Sequence, residues 1–237
     1  MNIQISPMVK NLLILNAAMY VGTVFLAPGL YDTMALWFVE NPNFRIWQPL
    51  THMFMHSAYD ISHILFNMLW LFFLGPEIER WMGSNRFLFF YLSCGLGAFV
   101  LVAGIEYVQY QMAINELLAQ DWSMSAIAQG YADKRLIHPN VQDYWTPSVG
   151  ASGAIFGVMA AFMYLFPNRS MYLLFIPFPI KVKYLIGFYI LRELLASTGV
   201  IASTPGTGHL AHLGGAIVGF IMIWYWKRND MDRYRID

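Results

Sequence analysis

The chain has 237 residues, of which 58% are apolar and only 12% are Asp, Glu, Lys or Arg. This charged share is about half the usual value for soluble domains, which excludes an ordinary soluble protein. The aromatic content of 17% excludes a disordered chain, and a formal net charge of zero gives no general reason to expect nucleic-acid binding. A single cysteine, Cys94, excludes an internal disulfide framework. We therefore predict an all-α, polytopic membrane protein.

Six apolar segments approach the roughly 20 residues that a helix needs to cross a bilayer. The second and fifth segments are the shortest. The first lacks a small residue where signal peptidase would require one, so we interpret it as a retained span and not as a cleaved signal peptide. In chain order, the predicted spans are 11–27, 61–75, 87–105, 150–166, 182–196 and 208–226.

The distribution of positive charge predicts the orientation of these spans. Most Lys and Arg residues flank span ends that share one side of the membrane, and cytoplasmic flanks typically accumulate such residues. Both termini are therefore predicted to be cytoplasmic. The residues on this side are Lys10, Arg80, Arg86, Arg169, Lys181, Lys183, Lys227, Arg228, Arg233 and Arg235.

Two segments are predicted to lie on the outer side within a single domain that covers residues 1–237. Residues 28–60 form an apolar outer loop suited to the membrane interface. Residues 106–147 form an outer insertion, and a structureless loop of about 40 residues would be unusual. The spacing of Val108, Met112 and Leu118 predicts one or two short amphipathic helices resting on the membrane. Its location leaves two explanations open: a role in selecting what reaches the outer side of the protein, or a decoration without functional effect.

Polar residues occur at the outer ends of three spans that run in the same direction. The second span begins with His63 and Asn67, which are four residues apart and share one helix face. The fourth begins with Ser152, and the sixth with His209 and His212. Because a helix rises 1.5 Å per residue, all five side chains are predicted to share one shallow layer.

Glycines in the fourth and sixth spans favour close contact between these two helices. Ser152 and His212 stand directly beside them, an arrangement suited to a nucleophile and its general base. The free backbone N–H groups at the start of the fourth span, with His63 and Asn67, could stabilise an oxyanion. The glycine pairs are 153 with 157 and 215 with 219.

Each of these features has a simpler explanation when it is taken alone. Glycine pairs usually serve packing, a membrane serine usually bonds its own helix, and a lone histidine is often a satisfied packing residue. Their convergence favours a functional site, because buried ionisable groups are costly in a bilayer. A transporter or channel is a further alternative, but the sequence offers neither repeat symmetry nor paired intramembrane carboxylates.

Three motifs resemble those of the rhomboid intramembrane serine proteases in their six-span bacterial form. The sequence GASGAIFG at 150–157 resembles the family's G-x-S-G motif, and AHLGG at 211–215 resembles its catalytic-histidine helix. The sequence HILFN at 63–67 resembles its H-x-x-x-N helix, followed by Gly75 and Glu79 at the spacing of the family's G-x-x-x-E. The resemblance covers residues 46–226.

The resemblance implies a serine endopeptidase with a Ser–His dyad, without a cofactor, a metal or a carboxylate third member. His209 is a competing base, but only His212 is followed by glycines three and seven residues later. A catalytically silent relative that binds membrane segments is the alternative. The implied site consists of Ser152 as nucleophile, His212 as base, His63, Asn67 and the Ser152 amide as oxyanion donors, and Phe156 stacked on His212.

The resemblance also implies single-pass transmembrane substrates, cut near their outer end after a small residue. The expected partners are these substrates and membrane lipids, with no nucleic acid, and the expected location is the bacterial inner membrane. Residues 197–208 have the composition of a mobile cap over the site. Two departures stand out: Gln48 follows Trp47 where the family often has arginine, and Arg192 with Glu193 lies well inside the fifth span.

Overall fold

The computed structural model describes residues 4–133, 146–172, 178–202 and 208–229. Within these residues the protein is a helical bundle, and each of the six predicted spans overlaps a helix. Two short strands form one antiparallel pair. The elements are α1 (Pro7–Val21), α2 (Leu30–Met34), α3 (Gln48–Thr51), α4 (Ile61–Met82), α5 (Ser84–Ala119), α6 (Met124–Ala132), α7 (Ser152–Leu165), β1 (Ser170–Met171), β2 (Ile180–Lys181), α8 (Val182–Ser197) and α9 (His209–Arg228).

Among the described residues, four helical segments are long and apolar enough to cross a membrane by length and composition. They are α4, α5, α9 and α1 together with the π-helical turn Gly22–Leu26 that continues it. The structure extends the second span, predicted to end at Gly75, as far as Met82. The chain is thus a polytopic membrane protein, as its composition predicts.

Helix α7 lies at the centre of the bundle. Every residue from Gly153 to Phe162 is buried, and α4, α5, α8 and α9 all pack against it. Protein therefore shields this helix from lipid, which explains how 14 residues suffice where a lipid-exposed span needs roughly 20. This central position brings the start of α7 close to the starts of α4 and α9.

The third span and the outer insertion differ from the prediction. Helix α5 does not end near residue 105 but continues to Ala119, and α6 packs back against this extension. The predicted apolar face at Val108, Met112 and Leu118 is exposed, whereas the opposite face is buried. Both faces are apolar, so spacing alone could not identify the packed one. The cluster around α6 consists of Phe38, Ala113, Ile114, Leu117, Ile127 and Tyr131.

The outer loop is tied together by Gln48, which is fully buried. Its Oε1 accepts a hydrogen bond from the Trp37 backbone N–H at 3.2 Å, and its Nε2 donates to the carbonyl oxygens of Asn43 at 2.9 Å and Thr33 at 3.3 Å. The loop thus keeps an anchor at this position although the family's frequent arginine is missing. Residues 203–207, the centre of the predicted cap, lie outside the described residues.

The end of the bundle opposite Ser152 is held by Glu79 near the end of α4. Its carboxylate accepts hydrogen bonds from the backbone N–H groups of Met8 and Val9, both at 2.9 Å. It also accepts from the hydroxyls of Ser6 and Ser84. Glu79 therefore caps α1 and links it to the start of α5. We call this the Glu79 end, and the opposite end, where α4, α7 and α9 begin, the site end.

Candidate active site

Ser152 is the first residue of α7, and the turn before it requires glycine. Gly150 has a φ of +142°, and a Cβ there would lie 2.9 Å from Nε2 of His63 and 3.5 Å from Oγ of Ser152. Both polar atoms therefore lie beside the Gly150 backbone. The Gly150 N–H donates to the His52 carbonyl oxygen at 3.0 Å, which fixes this turn to the outer loop.

The N-terminus of α7 offers backbone donors next to the serine hydroxyl. The first hydrogen bond of the helix runs from the Ile155 N–H to the Ala151 carbonyl oxygen at 3.0 Å. The N–H groups of the residues between them, Ser152 included, precede the first intrahelical bond, as in any α-helix. They carry partial positive charge at the point where an oxyanion could bind.

Helices α7 and α9 approach each other through glycine. A Cβ at Gly215 would come within 1.8 Å of the Gly153 carbonyl oxygen, and one at Gly219 within 2.5 Å of the Gly157 Cα. Only glycine fits at these two positions of α9. The packing expected from the glycine spacing is therefore present, and it brings the side chains of the two helices into contact above it.

His212 lies at this contact, one turn into α9. The Phe156 ring of α7 stacks on its imidazole with centroids 4.2 Å apart and an angle of 6° between the planes. Phe156 follows Ser152 by four residues and so lies on the same face of α7. His212 thus lies against the face that carries Ser152. Within the described part of the chain, however, no hydrogen bond joins the Ser152 hydroxyl to His212.

Helix α4 contributes His63 and Asn67 from its first two turns. The Asp60 carboxylate caps the helix by accepting from the Ser62 N–H at 2.9 Å. His63 Nδ1 accepts a long hydrogen bond of 3.5 Å from the Ser57 N–H, which assigns its ring proton to Nε2, the atom beside Gly150. The Asn67 Nδ2 is buried and has no hydrogen-bond partner among the described residues. Both side chains thus offer donors near the start of α7.

Glu193 also lies in the site, and the sequence did not predict its presence there. This α8 residue is 2% exposed, and its Oε2 lies 2.8 Å from Nδ1 of His212 and 2.6 Å from Nδ1 of His209. The expectation of a histidine without a carboxylate partner was therefore wrong. A signal existed, because an acidic residue inside an apolar span needs a partner. Its histidine partners lie 16 and 19 residues further along the chain, so spacing could not reveal the pairing.

The same three residues form a donor set that a metal could use. One carboxylate oxygen of Glu193 and one ring nitrogen each of His209 and His212 lie within 4.8 Å of one another. Zinc binds such a combination of donors. Hydrogen bonds already satisfy these atoms without a metal, since Oε2 accepts from both rings and Oε1 pairs with Arg192 at 2.7 Å. The prediction of a metal-free site stays a prediction.

A bundle of apolar helices with serine, histidine and asparagine gathered at one end defines a polytopic membrane protein with a buried polar site. The family model described as the Rhomboid domain matches residues 43–229, most of the chain. This chain belongs to the rhomboid family.

Several named relatives are similar over most of this chain. RHOMBOID-like protein 12, mitochondrial, of Arabidopsis thaliana is 30% identical over 231 residues, 96% of this chain and 60% of that protein. Rhomboid protease AarA of Providencia stuartii is 31% identical over 74% of this chain and 54% of its own length. Presenilin-associated rhomboid-like protein, mitochondrial, of Bos taurus is 27% identical over 90% of this chain and 46% of its own length. The chain thus spans between 46% and 60% of these relatives.

Proposed function

We propose that this protein is an intramembrane serine endopeptidase in which Ser152 is the nucleophile and His212 the general base. The observation that carries the proposal is the stack of Phe156 on His212, one turn from Ser152 on the same face of α7. The likeness to a relative named as a protease supports it. The hydrogen bond between nucleophile and base would form when substrate binds, since catalytic hydrogen bonds often tighten only in the complex.

In the first step the Ser152 Oγ attacks the carbonyl carbon of the scissile peptide while Nε2 of His212 takes the hydroxyl proton. The tetrahedral intermediate then collapses, the C–N bond breaks, and His212 gives this proton to the leaving amine. Water, activated by His212, hydrolyses the remaining ester of Ser152. Proton and leaving group are balanced without a cofactor.

The oxyanion of the intermediate would be held by the Ser152 N–H, Nε2–H of His63 and Nδ2 of Asn67. Among the described residues the Nδ2 of Asn67 has no hydrogen-bond partner, which supports this role because a buried donor without a partner costs about 1–3 kcal/mol. A developing oxyanion would supply the missing acceptor. The interaction is then stronger in the transition state than in the ground state, which is the requirement for catalysis.

The substrates we propose are single-pass transmembrane proteins, cut near the outer end of their membrane segment. The site end lies opposite the ends flanked by most Lys and Arg residues, which supports a site open to the outer side with both termini in the cytoplasm. The shallow position of Ser152 at a helix start would give water access. We propose the bacterial inner membrane as its location.

The test combines a serine-directed fluorophosphonate probe with cleavage of a model transmembrane substrate by purified protein. We expect labelling and cleavage by the unaltered protein and loss of both in Ser152→Ala. His212→Ala is expected to lose cleavage, while His209→Ala retains substantial activity. This histidine pair is a matched control, because both rings contact the same Glu193 oxygen.

Two results would overturn parts of the proposal. A dead His209→Ala protein with an active His212→Ala protein would assign the base to His209. Absence of labelling and cleavage in folded, unaltered protein would instead favour a catalytically silent binder of membrane segments.

A further inference from the structure

Glu193 contacts both histidines of α9 although it lies on a different helix. We propose that Glu193 is a positioning residue that holds His212 in the tautomer the reaction needs and ties the orientation of this ring to the position of α8. The inference rests on the proposed function, because it assigns His212 the role of base.

The hydrogen bond determines which ring nitrogen of His212 carries the proton. A carboxylate can only accept, so the Nδ1 atom 2.8 Å from Oε2 must be the donor. In the neutral ring the other nitrogen, Nε2, then has a free lone pair. A base that takes the proton of Ser152 needs such a lone pair, and an acid–base histidine with a buried carboxylate on its far nitrogen follows this logic in serine hydrolases.

The Glu193 side chain is itself held in place from two further directions. Arg192 pairs with Oε1 at 2.7 Å, and His209 donates to Oε2 at 2.6 Å. The carboxylate therefore has little rotational freedom. On its other side, the His212 ring is fixed by the parallel Phe156 ring. The imidazole is thus held between a ring on α7 and a carboxylate on α8.

A purely structural role is the competing explanation, in which Glu193 only ties α8 to α9. Both explanations predict that removing the carboxylate lowers stability. They differ for the folded molecules that remain, because only positioning lowers the turnover of each folded molecule. They also differ for glutamine, whose NH₂ group can donate to Nδ1 and so stabilise the wrong tautomer of His212.

The main experiment compares Glu193→Gln with Glu193→Asp in cleavage of a model transmembrane substrate, normalised to folded protein. We expect Glu193→Gln to lower kcat about 100-fold or more with KM changed less than threefold, since loss of the correct tautomer costs up to about 10,000-fold in serine proteases. Glu193→Asp keeps a carboxylate acceptor and should recover at least about a tenth of kcat.

The matched control is Glu77→Gln, which also removes one carboxylate that makes ion pairs. Glu77 contacts Arg80 at 3.1 Å and Arg169 at 2.6 Å, far from the site. Its kcat should stay within about twofold, as expected for a change that touches no reacting group. Equal kcat values for Glu193→Gln and the unaltered protein would overturn the proposal.

A second measurement does not depend on whether the variants fold. Nitrogen NMR of the unaltered protein, labelled in its histidines, reports which ring nitrogen is protonated. The signals of His212 are assigned because they are absent from the spectrum of His212→Ala. We expect Nδ1 to be protonated and Nε2 free. The opposite tautomer would overturn the proposal.

The readouts also separate this inference from the proposed function. If the unaltered protein neither labels nor cleaves, the proposed function fails while the NMR result still decides the tautomer. Activity is measured with and without EDTA, because the same residues could bind zinc. Loss of activity on chelation would show that a metal organises the cluster and would contradict positioning by Glu193 alone.

Discussion

The two ends of the bundle each contain a deeply buried carboxylate, but its partners differ. Glu79 accepts from backbone N–H groups and serine hydroxyls, which keep their protons at any physiological pH. Glu193 accepts from two imidazoles, each of which has a second ring nitrogen. The first arrangement fixes helix ends, whereas the second can take part in proton transfer.

The polar groups around the two carboxylates differ in whether their hydrogen bonds are satisfied. At the Glu79 end the carboxylate satisfies the first-turn donors of α1. At the site end, by contrast, the buried Nδ2 of Asn67 has no hydrogen-bond partner among the described residues. A protein tolerates such groups where they serve a ligand or a reaction. Variants at the two ends should therefore separate loss of stability from loss of turnover.

The largest effect is expected where α7 and α9 meet below the site. Gly215→Ala should abolish cleavage and probe labelling, because its Cβ would come within 1.8 Å of the Gly153 carbonyl oxygen, a rigid backbone atom. Gly104→Ala is the matched control, since no atom lies within 4 Å of a Cβ there. Both are measured by substrate cleavage and by yield of monodisperse protein. An active Gly215→Ala protein would disprove the close helix contact.

The next effect concerns turnover alone. Asn67→Ala should lower kcat by about 100-fold to 1000-fold, the usual cost of one oxyanion donor, with little loss of folded protein. Asn16→Ala is the control, because this buried asparagine donates to the Leu12 carbonyl oxygen at 2.8 Å, away from the site. It should alter stability and leave kcat per folded molecule unchanged. Equal losses of kcat in the two variants would favour a packing role for Asn67.

Glu79→Gln, at the opposite end of the bundle, should lower stability and leave kcat unchanged. The amide loses one acceptor oxygen and presents hydrogens to the donors around it, so we expect the free energy of unfolding to fall by about 3 kcal/mol. Unfolding in a mild detergent measures this change. Turnover of the remaining folded protein should stay near that of the unaltered chain. A selective loss of kcat would show that the two ends are coupled.

These contrasts also separate what the sequence could predict from what it could not. Apolar segments predicted the helices, because helix formation depends on local composition. Glycine spacing predicted the contact of α7 with α9, because small residues permit close approach of two helices. The buried face of the α5 extension was missed because both of its faces are apolar. The sequence shows Glu193 as an acidic residue inside an apolar span, but its partners lie on another helix, and only the packing of α8 on α9 brings them together. Gln48 anchors the outer loop through hydrogen bonds that spacing cannot reveal.

Acid should weaken the site end before the Glu79 end, because His52 and His56 of the outer loop lie at the site end and their pKa values are lowered by burial. His52, in the outer loop, is buried, which lowers its pKa from 6.5 to about 4. Burial in the same loop, with His63 nearby, lowers the pKa of His56 to about 3. The unfolded chain therefore takes up protons first as pH falls below about 6.5. The stability that the neutral rings provide is complete above that pH and is lost as pH falls towards 4.

The smallest of these effects is expected from His52→Gln. Its amide can still donate to the Gln48 carbonyl oxygen, which lies 2.9 Å from Nδ1 of His52, but it does not titrate. Between pH 7.5 and 5 the unaltered protein should lose about 2 kcal/mol of unfolding free energy because His52 titrates. The variant should not show this loss. Unfolding in detergent at both pH values measures the difference, with kcat at pH 7.5 as a check that the site is intact. Identical losses in the two proteins would mean that His52 is already accessible to protons in the folded state, and the outer loop would then not be the acid-sensitive part of the site end.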